Sequence, residues 1–152
     1  MLSHLFRNLV KQKNRKIKEL LEITTERLKK NNIEDARLNA EILLSHVLGT
    51  EREKLYISDI EINREKESLF LKLIEKRGKR IPLQYLTGKV NFYGYLFWIK
   101  KGIFIPRPET EILVEETIKI YKNFFYPEKV NILDIGTGCG NIAIVLAKEI
   151  EK

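Results

Sequence analysis

Residues 131–148 read NILDIGTGCGNIAIVLAK, in which a glycine-rich turn separates two apolar runs. The first run, VNILDI at residues 130–135, is too short for a helix and is typical of a strand buried on both faces of a parallel sheet. The second run follows the turn directly and predicts a helix. A strand, a glycine turn and a helix in this order form the first unit of a doubly wound α/β fold.

Glycines stand at alternate positions of the turn, at 136, 138 and 140, and Asp134 precedes them at the end of the predicted strand. Glycine lets a ligand approach the backbone closely, and the next helix presents unpaired N–H groups. The dinucleotide fingerprint G-x-G-x-x-G places its third glycine one position later. A carboxylate would repel a diphosphate, but it would attract the ammonium of a methionine-type ligand. The pattern therefore favours S-adenosylmethionine over NAD, and another nucleotide or a chance glycine turn are the alternatives.

Other kinds of site are less favoured by the sequence. A P-loop is excluded because no Gly-Lys-Ser/Thr follows the glycines. Cys139 has no adjacent base, so it is better interpreted as a small side chain in a tight turn than as a nucleophile. Because it is the only cysteine, and because His4 and His46 are far apart in the sequence, we predict neither a disulfide nor a metal site.

Three amphipathic helices are predicted in the first half of the chain. Apolar residues recur at spacings of three and four in residues 14–30, 33–48 and 63–77, with Asn63 as an N-cap and Gly49 as a C-terminal stop. Such helices are not stable alone, so we expect them to pack into a small bundle. The residues expected to face its core are Ile17, Leu20, Leu21, Thr24, Leu28, Ala36, Ala40, Leu43, Leu44, Val47, Leu69, Phe70, Leu73 and Ile74.

The segment VNFYGYLFWIKKGIFIP, residues 90–106, is rich in aromatic and β-branched residues and is interrupted by glycine. This composition predicts two or three short strands in a hairpin or meander. Leu96 and Trp98 are expected on one side, with Phe97 and Ile99 on the other. The next segment, PRPETEILVEETIKIYKNF, predicts a helix of about a dozen residues, because proline and acidic residues suit a first turn.

Positive charge is concentrated at the start of the chain. The formal net charge is +7, and residues 1–30 hold nine Lys and Arg against three Glu. Basic residues at positions 7–30 are consistent with a weak RNA contact, although a solvated basic helix face is the favoured interpretation. No apolar run is long enough to cross a bilayer and no secretory signal is recognisable, so we expect no membrane partner and a cytoplasmic location.

Three stretches of the sequence resemble the HemK/PrmC family of protein-(glutamine-N5) methyltransferases, which methylate the glutamine of the GGQ motif in peptide-chain release factors. They are DARLNAEILLSHVLGT (35–50), RIPLQYLTGKVNFYGYLFWIKKGIFIPRPETEILVE (80–115) and ILDIGTGCGNIAIVLA (132–147). The occurrence of IPRPETE (105–111) ahead of DIGTGCG (134–140) is a specific point of resemblance to this family. The resemblance implies S-adenosylmethionine as the cofactor and release factors as protein partners.

The resemblance also implies a domain organisation and a set of site residues. The chain would be α/β overall, with a helical substrate-recognition domain at 1–80, a β-hairpin linker at 81–107, and the first βα unit of a truncated, Rossmann-like class I methyltransferase domain at 108–152. A helix-start ion pair is the alternative role for Arg107 and Glu109. Cofactor-binding residues implied by the match are Phe104, Arg107, Glu109, Thr110, Asp134, Gly136, Thr137, Gly138, Cys139 and Gly140.

The family's catalytic Asn-Pro-Pro-Tyr loop does not occur in these 152 residues, so no catalytic residue is assigned. We therefore expect an incomplete enzyme that binds the cofactor weakly and does not methylate on its own. Two other functions are consistent with the sequence. The chain could be a non-catalytic module that binds protein or RNA, or a relative that methylates amino groups of nucleic-acid bases.

Overall fold

The computed structural model describes residues 17–57 and 61–150, which form two compact units divided between Thr87 and Gly88. The first unit is helical, and the second combines a two-stranded antiparallel sheet with two helices. The elements are α1 Ile17–Lys30, α2 Ala36–Leu48, α3 Lys54–Ile57, α4 Arg64–Gly78 and α5 Leu83–Thr87 in the first unit, then β1 Lys89–Phe92, β2 Tyr95–Trp98, α6 Glu109–Phe124 and α7 Asn141–Ile150 in the second.

The core of the first unit lies between α1, α2 and α4, which confirms the predicted bundle. Leu20, Leu43 and Phe70 are fully buried there, and the other residues predicted to face the core are buried with them, except one. The prediction for Leu69 is wrong, because its side chain is 49% exposed. Phe70, Leu73 and Ile74 already complete one stripe at helical spacing, and Leu69 lies about 100° away from Phe70 around the helix axis.

Helix ends follow local capping chemistry. The side chain of Asn63 accepts a hydrogen bond from the Lys66 N–H at 2.9 Å, which confirms the predicted N-cap of α4. Gly49 ends α2 with φ +73°. The second helix begins at Ala36 rather than at the predicted Ile33, because the Ile33 N–H bonds to a carbonyl of α1 at 3.1 Å and closes a turn. The predicted start of the first helix, at residues 14–16, lies outside the described residues.

Glu41 is the centre of a polar cluster at one side of the bundle. Its carboxylate accepts hydrogen bonds from the Tyr56 hydroxyl and from Arg37 Nε, the latter at 2.8 Å, and it lies 3.7 Å from Arg52 Nε. Burial raises the pKa of Glu41, but the hydrogen bonds from Tyr56 and Arg37 and the nearby positive charges outweigh that effect. The pKa of Glu41 therefore lies below its ordinary value.

Glu41→Gln should lower the free energy of unfolding of the chain by about 1–2 kcal/mol at neutral pH, because a buried charged acceptor is lost. Since the pKa of Glu41 is depressed on folding, its stabilisation is present above the ordinary value of 4.5 and is lost as the pH falls through the lower folded value. Urea unfolding at several pH values measures both effects. In the control Glu75→Gln, which removes an exposed ion pair with Lys79, we expect an almost unchanged midpoint.

The second unit begins with a tight hairpin. Lys89 pairs with Trp98 and Phe92 with Tyr95 across the two strands, and Tyr93 and Gly94 form the turn with φ of +52° and +77°. The predicted sidedness is confirmed: Phe97 and Ile99 are buried, whereas Leu96 and Trp98 are exposed. The sheet has two strands, which agrees with the smaller number predicted.

Helix α6 packs against α7, and buried Val114 and Val145 lie on these two helices. Helix α6 has 16 residues rather than about a dozen, and the acidic residues Glu109 and Glu111 lie in its first turn. No helix among residues 17–57 and 61–150 is long and apolar enough to cross a membrane.

The strand predicted at residues 130–135 does not form. These residues are irregular or turn, and Leu133 and Ile135 are 82% and 87% exposed. A strand is defined by hydrogen bonds to a neighbouring strand, and in the described part of the chain the one sheet is the hairpin. The apolar pattern indicates a segment suited to a buried strand, but the structure supplies no partner for it.

Candidate functional site

The glycine turn has the backbone that its sequence predicts. Gly136, Gly138 and Gly140 have φ of +77°, +59° and +77°, a region that L side chains rarely adopt. The Gly140 N–H donates to the Thr137 carbonyl at 2.8 Å, and the Gly140 carbonyl accepts from the Ile144 N–H at 2.9 Å. The turn therefore leads directly into α7, whose first N–H groups have no partner within the helix and suit a polar ligand.

Cys139 and Asn141 contact one another at the start of α7. The Cys139 thiol donates to Asn141 Oδ1 at 3.3 Å, and Asn141 is buried. This contact fixes the thiol in the turn, which agrees with a small side chain that fills space there. No group of three or more His, Cys, Asp or Glu side chains within the described residues is arranged to hold a metal ion.

Asp134 lies just before the turn and has an unsatisfied carboxylate oxygen. Its Oδ2 atom is buried and has no hydrogen-bond partner among the described residues. A buried acceptor without a partner is costly, and an ammonium group is the donor that would satisfy a carboxylate best. Together with the three glycines, this oxygen makes the turn a fitting site for the methionine end of S-adenosylmethionine.

The second segment of the predicted site lies at the start of α6. Phe104, Arg107 and Glu109 are exposed, and Thr110 is half-buried. The guanidinium carbon of Arg107 lies 6.0 Å from the centroid of the Phe104 ring, and the Arg107 carbonyl accepts from the Thr110 N–H at 3.0 Å. No ion pair joins Arg107 to Glu109 in the described structure, so the alternative of a helix-start ion pair is not supported.

The two segments belong to the same unit and lie next to helices that pack together, since α6 follows the first and α7 follows the second. No hydrogen bond or ion pair within residues 88–150 joins the two segments directly. Sequence reasoning missed two contacts that hold the hairpin on these helices. The Tyr93 N–H donates to Glu111 Oε1 at 2.9 Å, and the Tyr95 hydroxyl donates to Glu149 Oε1 at 2.6 Å. The partners are 18 and 54 positions apart, and no local pattern in the sequence indicates such pairs.

Gly140→Ala should weaken cofactor binding about tenfold, because the new Cβ would lie 3.2 Å from Ile144 Cδ1 on a backbone with φ +77°. A positive φ costs a non-glycine residue roughly 1–2 kcal/mol, and relief of that strain would distort the turn. Calorimetric titration with S-adenosylhomocysteine measures the change. The control Gly49→Ala imposes similar strain at φ +73° in the other unit. If Gly49→Ala weakened binding equally, the effect would not be specific to the turn.

Comparison with known proteins finds that residues 19–88 match the PrmC N-terminal domain. A release factor glutamine methyltransferase of Rhodopirellula baltica is 38% identical over 138 residues, which make up 90% of this chain and 47% of that protein. The corresponding protein of Geobacter sulfurreducens is 38% identical over 88% of this chain and 46% of its own length. That of Bacillus anthracis is 43% identical over 72% of this chain and 39% of its own length. The chain thus spans about half the length, or less, of these curated relatives.

Proposed function

Because the chain belongs to the family of release factor glutamine methyltransferases, we propose that it is part of an enzyme that methylates the glutamine side-chain amide in the GGQ motif of peptide-chain release factors. In this proposal the helical unit recognises the release factor and the second unit begins the cofactor-binding domain. The enzyme acts in the cytoplasm, where translation takes place.

The observation that carries the proposal is the turn at residues 134–140. One carboxylate oxygen of Asp134 is buried and has no hydrogen-bond partner in the described part of the chain, and it lies just before three glycines in the left-handed region that lead into a helix. Bound S-adenosylmethionine supplies an electrophilic methyl group on a sulfonium. Asp134 would accept a hydrogen bond from its ammonium, and the glycine backbone at 136, 138 and 140 would lie along the ligand, where a Cβ at these three positions would obstruct it. The segment Phe104–Thr110 would cover the same pocket.

We propose a Rossmann-like arrangement for the complete domain, in which residues 130–135 form a strand. The neighbouring Ile132 and Leu133 would point to opposite faces of that strand, and both faces would be covered in a parallel sheet. The exposure of Leu133 and Ile135 supports this, because such apolar side chains are stabilised once neighbouring strands cover them. In this arrangement, strands formed by other residues would pair with residues 130–135 to make the parallel sheet.

Transfer of a methyl group to an amide nitrogen depends on positioning the amide and stabilising it as it reacts. In the family this role is assigned to an Asn-Pro-Pro-Tyr loop, which the present sequence does not contain. We therefore propose that these 152 residues bind the cofactor weakly and do not methylate by themselves.

The test is a methyl-transfer assay with a release factor and radiolabelled S-adenosylmethionine, followed by mass spectrometry of the GGQ peptide. The chain alone should give no product, and the chain mixed with the complementary part of a longer relative should methylate the glutamine. Labelling of RNA or DNA by the mixture, with the release factor unlabelled, would refute the proposed substrate. Turnover by the chain alone would show that methyl transfer does not require the Asn-Pro-Pro-Tyr loop.

A further inference from the structure

The outer face of the hairpin is an exposed surface that the proposed function does not use. In the antiparallel register Lys89 lies opposite Trp98 and Asn91 opposite Leu96, so these four side chains share one face of the sheet. Trp98 is 71% exposed and Leu96 is 56% exposed. We name Lys89, Asn91, Leu96 and Trp98 the outer hairpin face. Leu96 and Trp98 adjoin on this face and are flanked by polar side chains, an arrangement that is typical of interaction sites.

Basic residues lie next to the indole, one of them in direct contact with it. The Lys89 ammonium lies 4.6 Å from the centroid of the Trp98 ring, and Lys100 and Lys101 follow two and three positions later at an exposed turn. Residues 88–108 contain four Lys and Arg and no Asp or Glu. The carboxylates of Glu111 and Glu149 do contact the hairpin, but they bond to its turn and to Tyr95, which shares the inner face with Phe92. The charged side chains that the hairpin and the following turn themselves contribute, within residues 88–108, are therefore all positive.

The hairpin holds the indole in a defined place. The inner face, which includes Phe92, Phe97 and Ile99, is buried, and the rings of Phe92 and Phe97 meet edge to face with centroids 6.3 Å apart. The bonds of Tyr93 to Glu111 and of Tyr95 to Glu149 fix the hairpin on α6 and α7. Because the strand is anchored in this way, Trp98 is a pre-ordered aromatic surface, and binding of a partner would cost little conformational entropy.

We propose that the outer hairpin face, with Lys100 and Lys101, binds single-stranded RNA. Proteins that bind single strands without reading their sequence combine positive charge, which follows the phosphates, with an aromatic side chain on which a base stacks. Trp98 provides the stacking surface and Lys89, Lys100 and Lys101 provide the charge. An acidic protein would satisfy the lysines, but it would have no particular use for a flat, exposed indole among them. This inference does not depend on the proposed methyl transfer.

Trp98 is the only tryptophan of the chain, so its fluorescence reports on this face alone. Titration of the 152-residue chain with single-stranded oligouridylate and oligoadenylate should quench the emission to saturation. Added salt should weaken the binding steeply, because counterions are released from the phosphates. Binding of a fluorescein-labelled oligonucleotide, measured by anisotropy, should become about tenfold weaker in Trp98→Ala. The variant should fold normally, because the side chain is largely exposed.

Two further variants and one competitor make the test specific. Phe124→Ala removes an exposed aromatic side chain from α6, outside the outer hairpin face, and should change the affinity by less than about twofold. The double variant Lys100→Gln, Lys101→Gln should flatten the salt dependence. Unquenched emission, or equal binding by Trp98→Ala and the parent chain, would overturn the proposal and direct attention to the basic residues at 1–30. Equal quenching by oligoglutamate would also overturn it and indicate an acidic protein partner.

Discussion

Phe70→Ala is expected to leave the helical unit largely unfolded. Phe70 is fully buried in the core between α1, α2 and α4, and removal of a buried phenylalanine ring costs about 3–5 kcal/mol in transfer free energy and cavity formation. A unit of this size has a total stability of about 5 kcal/mol or less. Circular dichroism should show a loss of most helical signal from this unit, or a strongly lowered melting temperature.

The neighbouring position provides a matched control. Leu69→Ala alters the same helix at a half-exposed side chain and should lower the free energy of unfolding by less than about 1 kcal/mol. The comparison tests which face of α4 is buried. Equal destabilisation by the two substitutions would contradict the burial pattern, since a simple loss of apolar bulk would then explain both results.

Asp134→Asn is expected to reduce the affinity for S-adenosylhomocysteine by about tenfold to a hundredfold. The substitution keeps the size of the side chain but removes the charge that would pair with the ligand ammonium, and a hydrogen bond to a charged group contributes about 1.5–3 kcal/mol. The same change removes a buried carboxylate oxygen that has no partner among the described residues. The folded chain should therefore become no less stable as its affinity falls.

Calorimetric titration and thermal unfolding of the same variant separate these two effects. Glu128→Gln is the control, because Glu128 is an exposed acidic residue outside the turn and its side chain makes no hydrogen bond described in the structure. It should bind the ligand as the parent chain does. Unchanged affinity in Asp134→Asn would show that the carboxylate does not bind the ligand.

The bundle and the hairpin could be predicted because their signals are local. Helical spacing places Leu20, Leu43 and Phe70 in the core, and the alternation of Phe97 and Trp98 gives the two faces of the hairpin. Asn63 and Gly49 end their helices through contacts within a few residues. Such features need little knowledge of the rest of the fold.

The features that could not be predicted depend on distant partners. The hydrogen bond of Tyr56 to Glu41 and that of Tyr95 to Glu149 join residues 15 and 54 positions apart, and no motif indicates them. The helix α5 lies in a segment predicted as part of the hairpin linker. Its five residues are too few for a helical spacing of apolar residues to be recognised in the sequence. Residues 130–135 have the composition of a buried strand, but pairing with a neighbour decides whether a strand forms.

The candidate site was predictable only in part, for the same reason. Three alternating glycines predict a turn with positive φ, and the structure has that turn at Gly136, Gly138 and Gly140. The buried oxygen of Asp134, which has no partner within residues 17–57 and 61–150, could not be foreseen, because burial depends on the packing around it. Whether the segment at 104–110 closes over the turn stays a prediction.

Calorimetric titration of the unaltered chain with S-adenosylhomocysteine and, separately, with NAD shows directly which of the two ligands the glycine turn binds. We expect saturable, weak binding of S-adenosylhomocysteine and no heat of binding with NAD, because a carboxylate before alternating glycines suits an ammonium and repels a diphosphate. Binding of NAD with no response to S-adenosylhomocysteine would contradict this expectation.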